Sequence, residues 1–321
     1  MKTAFLYAGQ GSQCAGMGKD LYEKNDLVRS SIDRADELLS ELSLKKTMFE
    51  GPEDKLSETH ITQPALAAFA AGVTESLFAA GIRPDYVAGQ SLGEYSALFA
   101  AGVFDKDTLF KTTAFRGSEM EKAAAGIAFR MTAVLGLEEK DVRAVCERIK
   151  KEDPSAMVEI SNLNGKGQVV IAGNESDVMK AEEAVSAAGA KKCIALKVGG
   201  PFHTSRMKPA GLALEAYFEN ISFGKMQIPV LFNVTGKELS AGEDVKSLLI
   251  RQVSETVRLT DILTSLEENG VTKVVEIGPG KTIAGMIRRS CSGIKTVSIS
   301  NADDLAAAVD MILQEEKTDE A

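Results

Sequence analysis

The chain has 321 residues, of which 44% are hydrophobic and 26% are charged, as in ordinary globular proteins. Its 37 basic and 46 acidic residues give a formal net charge of −9, which disfavours a broad nucleic-acid-binding surface. No apolar run approaches the ~20 residues that a membrane-spanning helix needs, and the run near Met1 is too short for a signal peptide. We therefore expect a cytoplasmic protein without a membrane segment.

Four cysteines are scattered along the chain: Cys14, Cys146, Cys193 and Cys291. Because no two of them form a C-x-x-C pair, the pattern indicates free thiols in a reducing compartment rather than disulfides or a zinc site. The length allows one large α/β domain with a smaller insert, or two domains.

The first predicted element is a strand over residues 3–8, which ends in the loop Gly9-Gln10-Gly11-Ser12-Gln13. This loop lacks the Gly-Lys-Ser/Thr ending of a P-loop, but its exposed backbone amides could supply an oxyanion hole. Predicted helices follow over residues 28–42, 63–80 (with Thr62 as N-cap and Pro64 near the first turn) and 105–124.

Between the last two helices the sequence Gly89-Gln90-Ser91-Leu92-Gly93 matches G-x-S-x-G. A short apolar strand precedes it and a helical stretch follows, an order typical of a nucleophile elbow. Ser91 would then present its hydroxyl at a sharp turn, and the Leu92 amide would face any developing negative charge. The alternative is a simple Gly-Ser turn that caps a helix.

Residues 128–198 have a different predicted order of strands and helices. The predicted order there is β-α-β-β-α-β, which is typical of a ferredoxin-like fold. The strands are expected over residues 131–137, 157–163, 168–172 and 192–198, and the helices over residues 138–151 and 177–188.

In the remaining chain, strands and helices alternate again. Strands are predicted over residues 230–234, 273–277 and 296–299. Helices are predicted up to residue 220 and over residues 245–266 (with one interruption near Thr256), 281–289 and 303–314, with fraying after residue 314. This alternation indicates a mainly parallel sheet covered on both faces. We therefore predict a large α/β-hydrolase-like domain (residues 1–126 and 199–321) with an inserted small ferredoxin-like domain (residues 127–198).

A nucleophilic serine needs a base, and the chain has only two histidines, His60 and His203. His203 lies in a loop rich in glycine and proline that could hold its ring at a site, so we predict it as the base. His60 precedes a helix, where a solvated or capping role is expected. No obvious strand-end acid precedes His203, so a backbone carbonyl could orient its ring instead.

Two further motifs have competing interpretations. Arg116 lies within a helix beside Gly117, a residue that costs about 1 kcal/mol there relative to alanine and could permit a close approach of backbone or ligand. Spacing alone favours a surface arginine paired with Glu119 or Glu121. The stretch Gly278-Pro279-Gly280-Lys281-Thr282 is similar to a P-loop but lacks its first glycine, so we interpret it as a tight strand-to-helix turn.

Together the motifs resemble the malonyl-CoA:acyl carrier protein transacylases of fatty-acid synthesis. The resemblance extends from Ala4 to about Arg289 and depends on several motifs in order, which is far more specific than any one of them. The motifs are Gly9-Gln10-Gly11-Ser12-Gln13, Thr62-Gln63-Pro64-Ala65-Leu66, Gly89-Gln90-Ser91-Leu92-Gly93-Glu94-Tyr95, Arg116-Gly117, Gly200-Pro201-Phe202-His203 and Glu276-Ile277-Gly278-Pro279-Gly280.

The resemblance implies a role for each matched position. Ser91 would be the acylated nucleophile and His203 its base. Gln10 and Leu92 would provide the amides of the oxyanion hole. The backbone carbonyl near Gln252 would orient the His203 ring.

The resemblance also implies the substrate-binding residues. Arg116 would hold the free carboxylate of malonate, and Phe202, just before the histidine, fits a preference for malonyl. Gln90 stands where the family usually has histidine; it keeps a donor and an acceptor but cannot titrate. Arg130, where a small residue is expected, is interpreted as a surface residue near the domain hinge, with a second cation near the acyl pocket as the alternative.

The implied reaction is ping-pong transfer of malonyl from malonyl-CoA, through Ser91, to the phosphopantetheine thiol of acyl carrier protein. It requires no metal and no cofactor of its own, and we expect a monomer. Three alternatives remain: a thioester or ester hydrolase, a polyketide acyltransferase with another acyl preference, and a non-catalytic scaffold that binds carrier protein. The intact Ser91 and His203 argue against the scaffold.

Overall fold

The structure, a computed structural model, describes residues 2–319. Its strands are β1 (Lys2–Tyr7), β2 (Tyr86–Gly89), β3 (Phe129–Leu135), β4 (Val158–Leu163), β5 (Gln168–Asn174), β6 (Lys192–Ala195), β7 (Val230–Leu231), β8 (Val257–Arg258), β9 (Val271–Ile277) and β10 (Lys295–Ile299). Its α-helices are α1 (Lys19–Lys24), α2 (Asp26–Leu38), α3 (Leu44–Glu50), α4 (Glu53–Leu56), α5 (Thr59–Ala79), α6 (Gly93–Ala100), α7 (Lys106–Ala124), α8 (Glu139–Glu152), α9 (Glu175–Ala187), α10 (Lys208–Phe218), α11 (Val245–Gln252), α12 (Leu259–Glu268), α13 (Thr282–Ser290) and α14 (Ala302–Asp319).

Five parallel strands form the first sheet, in the order β10-β9-β1-β2-β7. Alternate residues of β1 enter different apolar clusters: Phe5 and Tyr7 pack with α2, α5 and α7, whereas Ala4 and Leu6 pack with α12 and α13. Because both faces of the sheet are covered, its central strands consist of nearly continuous apolar runs. The parallel α/β prediction is confirmed.

The second sheet has the order β6-β3-β5-β4-β8. Its first four strands are antiparallel neighbours and come from residues 129–195, in agreement with the predicted β-α-β-β-α-β order. Helices α8 and α9 cover one face of this sheet around an apolar cluster of their own. We propose residues 127–198 as an inserted domain on the basis of this separate cluster, with residues 1–126 and 199–321 forming the large domain.

Several predicted boundaries were wrong. Helix α5 begins at Thr59, and Thr62 lies inside it, where its hydroxyl donates to the Leu56 carbonyl instead of capping the helix. In contrast, the interruption predicted near Thr256 is present: β8 separates α11 from α12 and pairs with β4 of the second sheet. The short helices α1, α3 and α4 were not predicted.

The end of the chain also differs from the prediction. Helix α14 continues to Asp319 instead of fraying after residue 314, and Lys273 forms an ion pair with Glu315. Glu320 and Ala321, which were included in the predicted frayed tail, lie outside the described residues. Among residues 2–319, no helix combines the length and the apolar character needed to cross a lipid bilayer.

Candidate active site

The predicted elbow is present at the turn from β2 to α6. Ser91 has φ +53°, in the left-handed region that non-glycine residues rarely adopt. The flanking glycines are required by the space available. A Cβ on Gly89 would lie 2.0 Å from the backbone of Gly93, and a Cβ on Gly93 would lie 2.2 Å from the Tyr7 carbonyl oxygen.

His203 is the histidine that meets Ser91. Its Nε2 lies 2.7 Å from Ser91 Oγ, and its Nδ1 lies 2.8 Å from the backbone carbonyl oxygen of Gln252. Because a carbonyl oxygen can only accept, Nδ1 must carry the proton, which leaves Nε2 free to accept from the serine hydroxyl. The structure therefore brings together the three groups named from the sequence.

The electrostatics of His203 keep its ring neutral. Burial, together with the positive charge of Arg116, lowers the pKa of His203 to about 3. At neutral pH the imidazole is thus unprotonated and able to act as a base. His60 lies elsewhere, with its Nδ1 2.7 Å from a carboxylate oxygen of Glu121.

Arg116 is fully buried beside the nucleophile. One terminal nitrogen of its guanidinium lies 3.0 Å from Ser91 Oγ and 2.8 Å from the Gln252 side-chain oxygen, and the other lies 2.8 Å from the Gln63 side-chain oxygen. All three partners are uncharged. A buried cation with only neutral partners next to a nucleophile is suited to bind an anionic substrate group.

The surface pairing of Arg116 that spacing favoured was wrong. Glu119 pairs with Lys122, and Glu121 pairs with His60. Close packing of α7 against the start of α5 explains the burial, since a Cβ on Gly117 would lie 2.6 Å from the Thr59 carbonyl oxygen. The predicted close backbone approach at Gly117 is confirmed.

Ser91 lines a cleft of about 350 Å³ between the two sheets. Phe202, predicted as a substrate-binding residue, lies in its wall near apolar residues of β3 and β5. Gln90 also lines the cleft, and its side-chain nitrogen donates to Asn164 Oδ1 at 3.0 Å. Arg130 does not line the cleft and pairs with Glu182 at 2.7 Å, as the surface interpretation expected.

The amides of Gln10, which lines the cleft, and of Leu92, next to Ser91 in the chain, have no hydrogen-bond partner among residues 2–319, as donors of an oxyanion hole require. The Gln10 loop passes so close to the elbow that a Cβ on Gly9 would lie 2.4 Å from the Gln90 carbonyl oxygen. The Gln10 side chain anchors the loop by donating to Thr59 Oγ1 at 3.1 Å. Two backbone amides are thus held next to the nucleophile, one in the loop after β1 and one in the turn after β2.

The second glycine-rich motif is a structural turn, as interpreted from the sequence. The carboxylate of Glu276 accepts hydrogen bonds from the amides of Ile283 and Ala284, so the start of α13 is already occupied by an anion. In the part of the chain that the structure describes, no cluster of His, Cys, Asp or Glu could hold a metal ion. The four cysteines are free, as predicted.

Sequence reasoning missed three polar residues around the elbow. Gln63 lay within a quoted motif but received no role. Asn233 lay within the strand predicted over residues 230–234, whereas β7 ends at Leu231, and the Asn233 side-chain oxygen accepts from the Ser91 amide at 2.6 Å. Glu94, which also lay within a quoted motif, is fully buried in the first turn of α6 and accepts from the Asn233 amide at 2.5 Å. Position at the carboxyl end of a parallel strand was the only available signal for Asn233.

Comparison with known proteins places this geometry in a family. The family model described as "Acyl transferase domain" matches residues 4–309. The malonyl CoA-acyl carrier protein transacylase of Bacillus subtilis (strain 168) is 38% identical, over 98% of this chain and 98% of the relative. The crystal structure of the Clostridium perfringens protein of the same name has a TM-score of 0.93 at 31% identity, covering all of both chains.

A third similar structure contains a partner. It is the complex PlMCAT:AntF, in which a type II PKS acyl-carrier protein is bound to its malonyl-transacylase. Its TM-score is 0.92 at 34% identity, and the match covers 97% of this chain and 99% of the other. The chain therefore belongs to the malonyl CoA-acyl carrier protein transacylase family of acyltransferases.

Proposed function

We propose that this protein transfers malonyl from malonyl-CoA to the phosphopantetheine thiol of an acyl carrier protein, for fatty-acid synthesis. The observation that carries the proposal is the buried guanidinium of Arg116, 3.0 Å from Ser91 Oγ. Such a cation can pair with the free carboxylate of a dicarboxylic acyl group while the thioester carbonyl lies at the nucleophile. The names of the relatives support the same substrate and acceptor.

The first half-reaction forms the acyl-enzyme. Ser91 Oγ attacks the thioester carbonyl carbon as its proton passes to His203 Nε2, and the Gln252 carbonyl keeps the ring oriented through Nδ1–H. The amides of Gln10 and Leu92 stabilise the negative charge on the carbonyl oxygen. The C–S bond then breaks, and CoA leaves as a thiol with the proton from Nε2.

The second half-reaction reverses these steps with a new thiol. The carrier's phosphopantetheine thiol gives its proton to His203 Nε2 and attacks the ester carbonyl carbon. The C–O bond to Ser91 breaks, and Oγ recovers the proton. Only protons and one acyl group move, so we propose that neither a metal nor a cofactor is required. One chain supplies every group, which supports a monomer as the active unit, and the four free cysteines support a cytoplasmic location.

The charge balance of the site favours an anionic acyl group. Glu94 is buried close enough to interact electrostatically with Arg116, but burial raises the pKa of its carboxyl to about 8. Burial therefore favours the protonated carboxyl, which does not neutralise the guanidinium. Malonate would supply the missing negative charge, whereas acetate would leave a methyl group facing a buried cation.

Substitution of Arg116 tests this selectivity. Arg116→Ala should lose about 2–5 kcal/mol of transition-state stabilisation with malonyl-CoA, the usual cost of breaking a desolvated charge pair. It should lose little or no acetyl transfer. Arg116→Lys should recover only part of the malonyl activity, because an ammonium lacks the planar fork. The measurement is the ratio of kcat/KM for malonyl-CoA over acetyl-CoA; an unchanged ratio in Arg116→Ala would show that Arg116 is not the selector.

The proposal itself is tested by intact-mass spectrometry after mixing the protein with malonyl-CoA. The expected result is a malonyl mass increase that maps to Ser91 and is discharged rapidly by holo carrier protein and slowly by water. Rapid discharge by water would indicate a hydrolase. No mass increase would indicate a non-catalytic binding protein.

The mouth of the cleft offers a surface for an acidic carrier protein. Three segments meet there: residues 164–173, 189–198 and 278–291. They supply the lining residues Gln168, Lys197 and Thr282, and they contain no Asp or Glu although the whole chain is acidic. Their exposed cations form no ion pair among the described residues: Lys166, Lys191, Lys192, Lys197, Lys281, Arg288 and Arg289.

Charge reversal at this surface should weaken docking selectively. Arg288→Glu and Arg289→Glu are expected to raise KM for carrier protein several-fold, because opposite charge speeds and strengthens encounter. KM for malonyl-CoA should stay nearly unchanged. Arg148→Glu, on the exposed face of α8, is the matched control. Equal effects on both substrates, or an equal effect in the control, would contradict a docking role.

A further inference from the structure

Asn233 is a fully buried residue just after β7 whose four polar groups are all hydrogen-bonded. Its side-chain oxygen accepts from the Ser91 amide at 2.6 Å, and its side-chain nitrogen donates to the Gly89 carbonyl at 2.7 Å. Its own amide donates to Glu94 Oε2 at 2.5 Å, and its carbonyl accepts from the Arg258 amide at 2.9 Å. A buried amide that is satisfied at every atom has one well-defined orientation.

We propose that Asn233 is a positioning residue for acyl transfer, which fixes the elbow so that Ser91 Oγ stays at bonding distance from His203. The inference rests on the function proposed above. Ser91 is held in a left-handed conformation that costs a non-glycine residue roughly 1–2 kcal/mol. Such a conformation persists only where the surroundings over-determine it, and Asn233 does this by binding the chain on both sides of Gln90.

Asn233 also determines which amides can serve the oxyanion. The Ser91 carbonyl accepts from Gln252 Nε2 at 2.8 Å and from the Glu94 amide at 3.1 Å. With its amide bound to Asn233 as well, the backbone of Ser91 has no hydrogen-bonding group left for substrate. The amides of Gln10 and Leu92 are the ones that remain free.

A second path links Asn233 to the opposite wall of the cleft. Arg258, which donates to Asn233, lies in β8 and pairs with Leu163 in β4. Strand β4 leads into Asn164, which accepts from Gln90 at 3.0 Å. The nucleophile turn is thus held to the second sheet from both sides, and Asn233 sets the position of Ser91 relative to the wall that faces it.

The contact between Glu94 and Asn233 supplies a conservative test. Glu94→Ala removes the acceptor for the Asn233 amide, whereas Glu94→Gln keeps an oxygen in the same place. A merely structural role for Asn233 would lower thermal stability without slowing chemistry in the folded protein. Ser31→Ala is the matched control, because it removes another buried hydrogen bond, 2.9 Å to the Ala68 carbonyl, away from the cleft.

The experiment measures the rate constant of acyl-enzyme formation at saturating malonyl-CoA, with Tm recorded for each variant. Asn233→Ala and Glu94→Ala should be slower by about 10²-fold, the effect of a displacement near 1 Å at a reacting group. Glu94→Gln should recover most of the rate that Glu94→Ala loses. Ser31→Ala should lower Tm without slowing acylation.

Two results would overturn the inference. The first is acylation of Asn233→Ala at the wild-type rate. The second result applies if that variant does not fold: it is acylation of both Glu94→Ala and Glu94→Gln at the wild-type rate. Labelling of Ser91 by a fluorophosphonate, a general serine reagent, is run in parallel. If the wild-type protein reacts with this reagent but not with malonyl-CoA, the proposed function fails, and the labelling rates of the same variants still decide the role of Asn233.

Discussion

Ser91→Ala is expected to abolish acyl-enzyme formation with malonyl-CoA. Ser91 carries the hydroxyl that lies 2.7 Å from the His203 base, and alanine leaves no atom to attack the thioester. The backbone of Ser91 forms hydrogen bonds with the side chains of Asn233 and Gln252 that do not involve the hydroxyl, so the variant should keep its fold. Intact-mass spectrometry checks the result, with circular dichroism to confirm folding.

The control for this substitution is Ser118→Ala, which removes a hydroxyl from the same helix as Arg116 but not from the cleft. It should be acylated like the unmodified protein. A malonyl adduct that persists in Ser91→Ala would refute the nucleophile assignment and require peptide mapping to find another.

His203→Ala should lower the transfer rate by about 10²–10⁴-fold, the usual contribution of a positioned general base. His60→Ala should change the rate little, because its ring is bound to Glu121 away from the cleft. The measurement is kcat for transfer to carrier protein. The reverse pattern, with His60 essential and His203 dispensable, would show that the base was wrongly assigned.

The lowered pKa of His203 adds a pH dependence. With a folded-state pKa of about 3, the ring stays neutral above about pH 5, so acylation should not titrate near the ordinary histidine value of about 6.5. The unfolded chain binds this proton between about pH 6.5 and 3 while the folded protein does not. The free energy of unfolding should therefore fall with falling pH across this window, and His203→Ala should weaken that dependence. Urea titrations at several pH values measure it.

The nucleophile could be found from sequence because its signal is local. A strand, two glycines and a helix all lie within about fifteen residues of Ser91, and the steric need for those glycines is set by the same short segment. His203 could be found because only one other histidine competes with it. The scarcity of histidine, together with the loop rich in glycine and proline around His203, made that choice possible.

Arg116 could not be placed by local reasoning. The helix that carries it also offers Glu119 and Glu121 at pairing distance, and nothing in their spacing reveals that α5 buries the guanidinium. Family resemblance supplied its role. Neither local reasoning nor the family resemblance identified Asn233. Its partners Ser91 and Glu94 are about 140 residues away in sequence and contact it only in the folded protein.

The secondary-structure elements also divide into those that local sequence predicts and those that depend on distant contacts. Long periodic segments such as α7 and the buried strands β1 and β9 were predicted within a few residues. Strand β8 has two residues, and it is a strand only because β4 of the second sheet lies alongside it. Its existence depends on contacts across the chain, which sequence periodicity does not record.

Among residues 2–319, three non-glycine residues have positive φ, and two of them are Ser91 and His203. Glycine would adopt both conformations without steric cost, whereas serine and histidine each lose roughly 1–2 kcal/mol there. At Ser91, where glycine would remove only a small side chain, thermal stability and turnover are thus opposed. Directed evolution of this enzyme for heat resistance alone would favour glycine there and select inactive proteins, so a screen for thermostable variants must assay acyl transfer at every round.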